Sequence, residues 1–146
     1  MESSRRVQRG FRIHSDWEHA LENVRIVLVG TTHPGNIGGA ARVMKNMGLK
    51  KLRLVSSTAY GPDTDAFPMA SGAYEIVSNA EIFHHLGQAL GNSVMAVATS
   101  ARLGGKRITA KTPSEIAPHI MDKAQVGEVS IVFGRESRGL TNEEIK

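Results

Sequence analysis

Short apolar segments rich in β-branched residues alternate with amphipathic segments from Val24 to the end of the chain. Apolar runs of this length, stopped by glycine or polar residues, are typical of strands buried on both faces of a parallel sheet. We predict strands at residues 24–29, 51–55, 75–77, 93–98 and 129–133. Because strands and helices that alternate form right-handed crossovers, the sequence predicts an α/β fold with a mostly parallel sheet flanked by helices.

The intervening segments carry apolar residues at intervals of three and four, as on one side of a helix. We predict helices at residues 37–47, 66–73 and 81–90, and two more that begin at Pro113 and Thr141. Asn36 is expected to cap the first helix, and Thr112 the helix that begins at Pro113. Gly48 is expected to end the first helix in a left-handed conformation.

The composition limits the classes of protein that remain. The 146-residue chain has no cysteine and six histidines. Its length suits one domain. Without cysteine there are no disulfides or thiolate ligands, and the histidines lack a metal-binding spacing, so no metal site is predicted. No run approaches the roughly eighteen apolar residues of a membrane helix, and no apolar signal core starts the chain, so a soluble, cytoplasmic protein is expected.

Basic residues are unevenly distributed along a chain of net charge +4. They form three groups: Arg5, Arg6, Arg9 and Arg12; Lys45, Lys50, Lys51 and Arg53; and Arg102, Lys106, Arg107 and Lys111. Such clusters attract phosphate backbones, although each is also compatible with an ordinary solvated surface. Residues 1–22 lack the alternation and are predicted to be a basic flexible leader before a domain at 23–146.

Ligands of open parallel sheets bind beyond the carboxyl ends of the strands. Three polar, glycine-containing segments follow predicted strands: GTTHPGN, TSARLGGKR and GRESRGLTNEE. In the predicted helix that follows the first segment, a helical projection places Arg42 roughly 170° from the apolar stripe, with Gly38 and Gly39 on the same polar side. Exposed backbone and one guanidinium suit an anion or a second chain, but an ordinary solvent-facing arginine has the same pattern.

A dinucleotide site is disfavoured by the glycine spacing. Gly35, Gly38 and Gly39 do not match G-x-G-x-x-G, and the strand at 51–55 is followed by Ser56 and Ser57 rather than by an acid that would bind a ribose. A nicotinamide-dependent oxidoreductase is therefore a distant alternative. No G-K-[ST] follows a glycine loop, so a P-loop is excluded as well.

Two ordered motifs carry a family resemblance. The first is N-x-G-x-x-A-R, and the second is F-G-x-E-x-x-G-L; their matching residues are Asn36, Gly38, Ala41 and Arg42, then Phe133, Gly134, Glu136, Gly139 and Leu140. Residues 23–146 resemble the SPOUT superfamily of RNA 2′-O-ribose methyltransferases. They are most similar to a bacterial branch that methylates nucleotide 32 of the tRNA anticodon loop with S-adenosylmethionine.

The resemblance implies a SPOUT (α/β-knot) fold, a homodimer with active sites at the subunit interface, and tRNA as a partner. It implies that Asn36, Arg42 and Glu136 belong to the catalytic centre. It also implies cofactor contacts at Thr99, Ser100, Ala101, Gly134 and Leu140. The third motif of the family, which completes the knot, would lie beyond Lys146. A C-terminally incomplete domain is therefore expected, and an RNA-binding or dimerisation module without activity is the alternative.

Methyl transfer to a hydroxyl is an in-line displacement, so alignment of the reactants supplies much of the rate. The hydroxyl must also lose its proton, and a guanidinium is a poor base because it stays protonated. We therefore expect Arg42 to act as a phosphate clamp and electrostatic organiser, and the proton acceptor stays open.

Overall fold

The computed structural model describes residues 18–57, 72–99 and 112–134. A helical turn at residues 18–21 precedes the first strand. The elements that follow are β1 (Val24–Val29), α1 (Pro34–Asn46), β2 (Lys51–Val55), α2 (Tyr74–Ser78), β3 (Glu81–Phe83), α3 (Leu86–Leu90), β4 (Met95–Ala98), α4 (Pro113–Ala124) and β5 (Val129–Phe133).

The five strands form one sheet in the order β3-β2-β1-β5-β4, and every pairing is parallel. β1 is the central strand, and Ile26 pairs with Leu52 of β2 and Ile131 of β5. All five strands therefore end at one edge of the sheet, here called the carboxyl edge. The opposite edge is the amino edge. The predicted parallel α/β arrangement is confirmed.

The core is divided between the two faces of the sheet. On the first face, α1, α2 and α4 pack on alternate strand residues such as Ile26, Leu52 and Val129. On the second face, Ala89 of α3 packs on residues such as Val27 and Val55. Because successive strand residues point to opposite faces, covering both faces requires the continuous apolar runs seen in the sequence.

α1 begins three residues earlier than predicted. His33 is the N-cap and Pro34 is the first helical residue, so Asn36 lies in the first turn instead of capping the helix. Proline fits this position because it lacks an N–H, which would have no helical partner there. Gly48 follows the helix with φ of 80°, the left-handed conformation that was predicted.

Two predicted elements between β2 and β4 are wrong. Residues 75–77 are helical, because Ile76 and Val77 are buried against the first face as part of α2. Residues 81–90 contain β3 and α3 rather than one helix. β3 forms because it pairs with β2, where Glu81 lies beside Arg53 and the two side chains form an ion pair.

β4 is an edge strand rather than the buried strand predicted at 93–98. Within the described residues it pairs with β5 alone, and Val94, Ala96 and Ala98 are exposed. Ser93 precedes the strand, and its hydroxyl lies 2.6 Å from that of Ser130. Local apolar sequence predicts a strand, but not its place in the sheet.

The remaining predictions have different outcomes. Thr112 caps α4 as predicted, in a capping box with Glu115. The predicted helix at 66–73 lies outside the described residues except for a turn at Gly72 and the residue that precedes α2. The predicted helix from Thr141 lies wholly outside them. Ala20, assigned to the leader, is fully buried in the core, so the folded region starts before residue 23.

Candidate functional site

The loops after β1 and β2 lie side by side at the carboxyl edge. Gly30 ends β1 with φ of 67°, and its N–H donates to the carbonyl oxygen of Val55 at 2.7 Å. The hydroxyl of Ser57 donates to the carbonyl oxygen of Thr31 at 3.1 Å, and Thr31 is itself buried. The hydrogen bonds fix the start of the β1–α1 loop relative to β2.

The ends of β4 and β5 continue the same edge. Thr99 follows β4, and both its N–H and its hydroxyl donate to the carbonyl oxygen of Val132, at 2.9 and 3.2 Å. Gly134 follows β5, which lies between β4 and β1 in the sheet. The strand order therefore brings Thr99, Gly134 and the β1–α1 loop to neighbouring positions, as the sequence predicted.

Asn36 and Arg42 lie at different distances from this edge. Asn36 is exposed in the first turn of α1, whereas Arg42 is six residues further along, about 9 Å down the helix axis. Arg42 is exposed on the outward side of α1. No hydrogen bond or ion pair among the described residues joins it to Thr99 or Gly134.

Arg42 borders a shallow basic cavity of about 270 Å³. Lys45 and Asn46 line it from α1, and Gly72 and Ala73 line it from the segment before α2. The ammonium group of Lys45 donates to the carbonyl oxygen of Gly72. Among the described residues that line this cavity, Arg42 is the cation without a hydrogen bond or ion pair, so its guanidinium can contact an anionic ligand.

The two helical glycines differ in their surroundings. A Cβ added to Gly39 would meet nothing within 4 Å, so the backbone is open there. Gly38 is buried and does not share the open side of Arg42, which corrects the helical projection. The difference arises because the buried side of α1 is wider than its stripe of apolar residues and includes Gly38.

The remaining predicted site residues lie outside the described part of the chain. They are Ser100, Ala101, Glu136 and Leu140. Their roles stay predictions, as do those of Asn36, Arg42, Thr99 and Gly134.

Sequence reasoning missed the contribution of Thr31 and Ser57 to the edge. Ser57 served only as evidence against a dinucleotide site, but its hydroxyl holds the β1–α1 loop. The signal for this contact is the order of the strands: parallel neighbours end at the same edge, so the serines after β2 are expected to lie close to the loop after β1.

The described residues offer neither a metal site nor a membrane-spanning helix. Residues 18–57, 72–99 and 112–134 contain no group of three His, Cys, Asp or Glu side chains that could hold a metal ion. Over the same ranges, no helix has the length and apolar character needed to cross a membrane.

Comparison with known proteins identifies relatives of the chain. The TrmJ protein of Pseudomonas aeruginosa, named as a tRNA (cytidine/uridine/adenosine-2′-O-)-methyltransferase, is 46% identical over 129 residues, covering 86% of this chain and 49% of that protein. TrmJ of Pectobacterium atrosepticum, named as a tRNA (cytidine/uridine-2′-O-)-methyltransferase, is 43% identical over 126 residues, with coverages of 86% and 52%. The chain spans about half the length of the curated relatives it matches.

Solved structures agree with the sequence comparison. A probable methylase family protein from Haemophilus influenzae has a TM-score of 0.77 at 45% identity, covering 86% of this chain and 52% of that chain. TrmJ from Z. mobilis has a TM-score of 0.75 at 36% identity, with coverages of 83% and 53%. The SPOUT-type α/β prediction is therefore confirmed for the described sheet.

Residues 23–146 match the SpoU rRNA Methylase family. The two quoted motifs, the parallel sheet and the relatives all agree with this match, and the chain belongs to the SpoU rRNA Methylase family.

Proposed function

We propose that the protein transfers a methyl group from S-adenosylmethionine to a ribose 2′-hydroxyl of tRNA, at nucleotide 32 of the anticodon loop. The observation that carries the proposal is the 46% identity to a TrmJ tRNA 2′-O-methyltransferase over 86% of the chain. The distant alternative, a nicotinamide-dependent oxidoreductase, has no support at the carboxyl edge, where Ser56 and Ser57 follow β2.

The chemistry of the carboxyl edge fits S-adenosylmethionine. Gly134 has no side chain and is only partly buried, so its backbone is open to an adenine or a ribose. Thr99 donates its hydroxyl hydrogen to Val132, which leaves the oxygen lone pairs as acceptors for a ligand. When bound, the cofactor would supply a methyl group on a sulfonium, an electrophile that needs no metal.

The residues of the chain would then align the reactants. The polar backbone between Thr31 and Asn36 borders the proposed cofactor site and would hold the ribose, so that its oxygen faces the methyl group. Arg42 would bind an RNA phosphate and stabilise the negative charge that develops on the oxygen. Methyl transfer would form a C–O bond as the C–S bond of the cofactor breaks, and the ribose hydroxyl would give up its proton to an acceptor that is left unassigned. Glu136, Ser100, Ala101 and Leu140 keep their predicted roles in the same centre.

A homodimer would explain how Arg42 can act at the carboxyl edge although it lies further down α1 from that edge within its own copy. Val43 and Met47 are 56% and 61% exposed on the outward side of α1, beside the open backbone of Gly39. An exposed apolar stripe of this kind suits a symmetric contact with a second copy. Pairing through α1 would bring Arg42 of one copy towards the carboxyl edge of the other. We place this dimer in the cytoplasm, where its tRNA substrate would be available.

Transfer of labelled methyl from S-adenosylmethionine to tRNA by the full-length protein tests the proposal. We expect incorporation at the ribose of nucleotide 32, and a loss of at least about a hundredfold in Arg42→Ala, because one charge-stabilising group contributes about that factor. Lys123→Ala, an exposed cation on α4, is the matched control and should retain activity. Full activity in Arg42→Ala would show that Arg42 is not part of the catalytic centre. If the wild-type protein transfers no methyl group, the proposed function is wrong.

A further inference from the structure

A second basic cavity lies at the amino edge, at the opposite ends of the strands from the proposed cofactor site. Its volume is about 460 Å³. Its lining includes Arg25 of β1, Lys50, Lys51 and Arg53 in and before β2, and Asn79 and Glu81 near β3. These six residues define the amino-edge cavity.

The two arginines are held by the protein itself. Arg53 donates from Nε to Glu81 at 3.0 Å and from Nη1 to the carbonyl oxygen of Ala89 at 2.5 Å. Arg25 donates from Nη2 to Glu128 at 3.0 Å and from Nη1 to the carbonyl oxygen of Glu22 at 2.9 Å. The predicted basic group therefore divides: Arg53 is a fixed part of the cavity wall, whereas Lys50 and Lys51 are exposed.

The cavity has more cationic donors than its own carboxylates satisfy. Glu81 and Glu128 are committed to the arginines, and neither Lys50 nor Lys51 has an ion pair within the described residues. Two exposed ammonium groups without ion pairs in the described part of the chain, on the wall of a cavity whose arginines are already paired, favour an anionic ligand.

We propose that the amino-edge cavity binds a backbone phosphate of the RNA substrate, remote from the methylated nucleotide. β1 has six residues, so the two edges of the sheet are about 20 Å apart. An RNA contacting both edges would bridge this distance with several nucleotides. Lysine binds phosphate as a point charge without reading the base, which suits a contact that sets the position of the RNA. The assignment of the phosphate to RNA rests on the proposed function.

Salt dependence of tRNA binding tests this second contact. The slope of log Kobs against log salt is negative, and each phosphate contact that is lost lowers its magnitude by about 0.7–0.9. We expect a decrease of that size in Lys51→Gln and in the double variant Lys50→Gln/Lys51→Gln, because both lysines serve a single phosphate contact. Lys123→Gln is the matched control, because Lys123 is exposed on α4, which packs on the other face of the sheet. Its slope should stay within about 0.3 of the wild type.

Steady-state kinetics provides an independent readout. The lysine variants should raise KM for tRNA and leave kcat at saturating tRNA unchanged, because neither residue belongs to the proposed catalytic centre. Equal slopes for Lys51→Gln and Lys123→Gln would overturn the proposal. So would weaker binding of inorganic phosphate in Lys51→Gln with unchanged binding of tRNA, since the cavity would then serve a free anion.

The two proposals fail in different ways. If the wild type transfers no methyl group but Lys51→Gln still lowers the magnitude of the salt slope, the catalytic proposal is wrong and the cavity proposal stands. If methyl transfer is observed and the slopes do not change, the cavity proposal is wrong and the catalytic proposal stands.

Discussion

Replacing Arg53 with methionine separates a residue that supports the fold from the neighbouring lysines. The Arg53 side chain is only 11% exposed. Its guanidinium contacts Glu81 of β3 and the carbonyl oxygen of Ala89 in α3, and it lies 5.7 Å from the centroid of the Phe83 ring. These contacts connect β2 with β3 and α3.

The expected loss can be worked out contact by contact. The ion pair with Glu81 contributes at most about 1 kcal/mol, because Glu81 is 56% exposed and solvent screens the pair. The charged hydrogen bond to Ala89 contributes about 1.5–3 kcal/mol. The contact with the Phe83 ring adds about 0.5–1 kcal/mol. Methionine retains part of the aliphatic packing, so we expect the free energy of unfolding to fall by about 3 kcal/mol.

Urea denaturation followed by circular dichroism measures this loss. Lys51→Met is the matched control: Lys51 is on the same strand, is exposed, and should change the free energy of unfolding by less than about 0.5 kcal/mol. A loss in Arg53→Met that does not exceed the loss in Lys51→Met would refute the reasoning. Arg53 would then have to be regarded as a surface cation available to RNA.

Three further substitutions test other parts of the structure. Thr112→Ala removes the capping box with Glu115 and should lower the free energy of unfolding by about 1 kcal/mol, measured by urea denaturation, with no change in methyl transfer. Gly48→Ala places a Cβ at φ of 80°, where left-handed backbone costs about 1–2 kcal/mol; an unchanged thermal midpoint would contradict the assigned conformation. Val43→Asp introduces a charge into the exposed stripe on α1 and should convert a dimer into monomers in analytical ultracentrifugation; an unchanged sedimentation coefficient would exclude α1 from the interface.

The sequence predicted those parts of the fold that depend on local pattern. β1, β2 and β5 have the predicted bounds, because short runs rich in apolar residues that are stopped by glycine or polar residues favour strands. β3 was missed because three residues carry too little pattern, and the strand exists through its pairing with β2 and the contact between Glu81 and Arg53. The edge position of β4 could not be predicted, because strand order depends on the whole sheet.

The candidate site divides in a similar way. Parallel topology was enough to predict that Thr99, Gly134 and the β1–α1 loop meet at one edge. The helical projection correctly placed Arg42 on the outward side of α1 but misplaced Gly38, because the width of the buried arc depends on tertiary packing. Arg53 is largely buried because it pairs with residues distant in sequence, Glu81 and Glu128. The clustering of basic residues in the sequence could not show this and therefore predicted too many exposed cations for RNA binding.

Hydrogen exchange of the full-length protein with and without S-adenosylmethionine tests the central claim most directly, because it reports which edge of the sheet binds the cofactor. The account predicts slower exchange on cofactor addition in peptides that contain residues 30–36, Thr99 and Gly134. Peptides that contain residues 50–53 and 79–81 should not change. Protection confined to the amino-edge peptides, or no protection at saturating cofactor, would contradict the assignment of the carboxyl edge as the methyl-donor site.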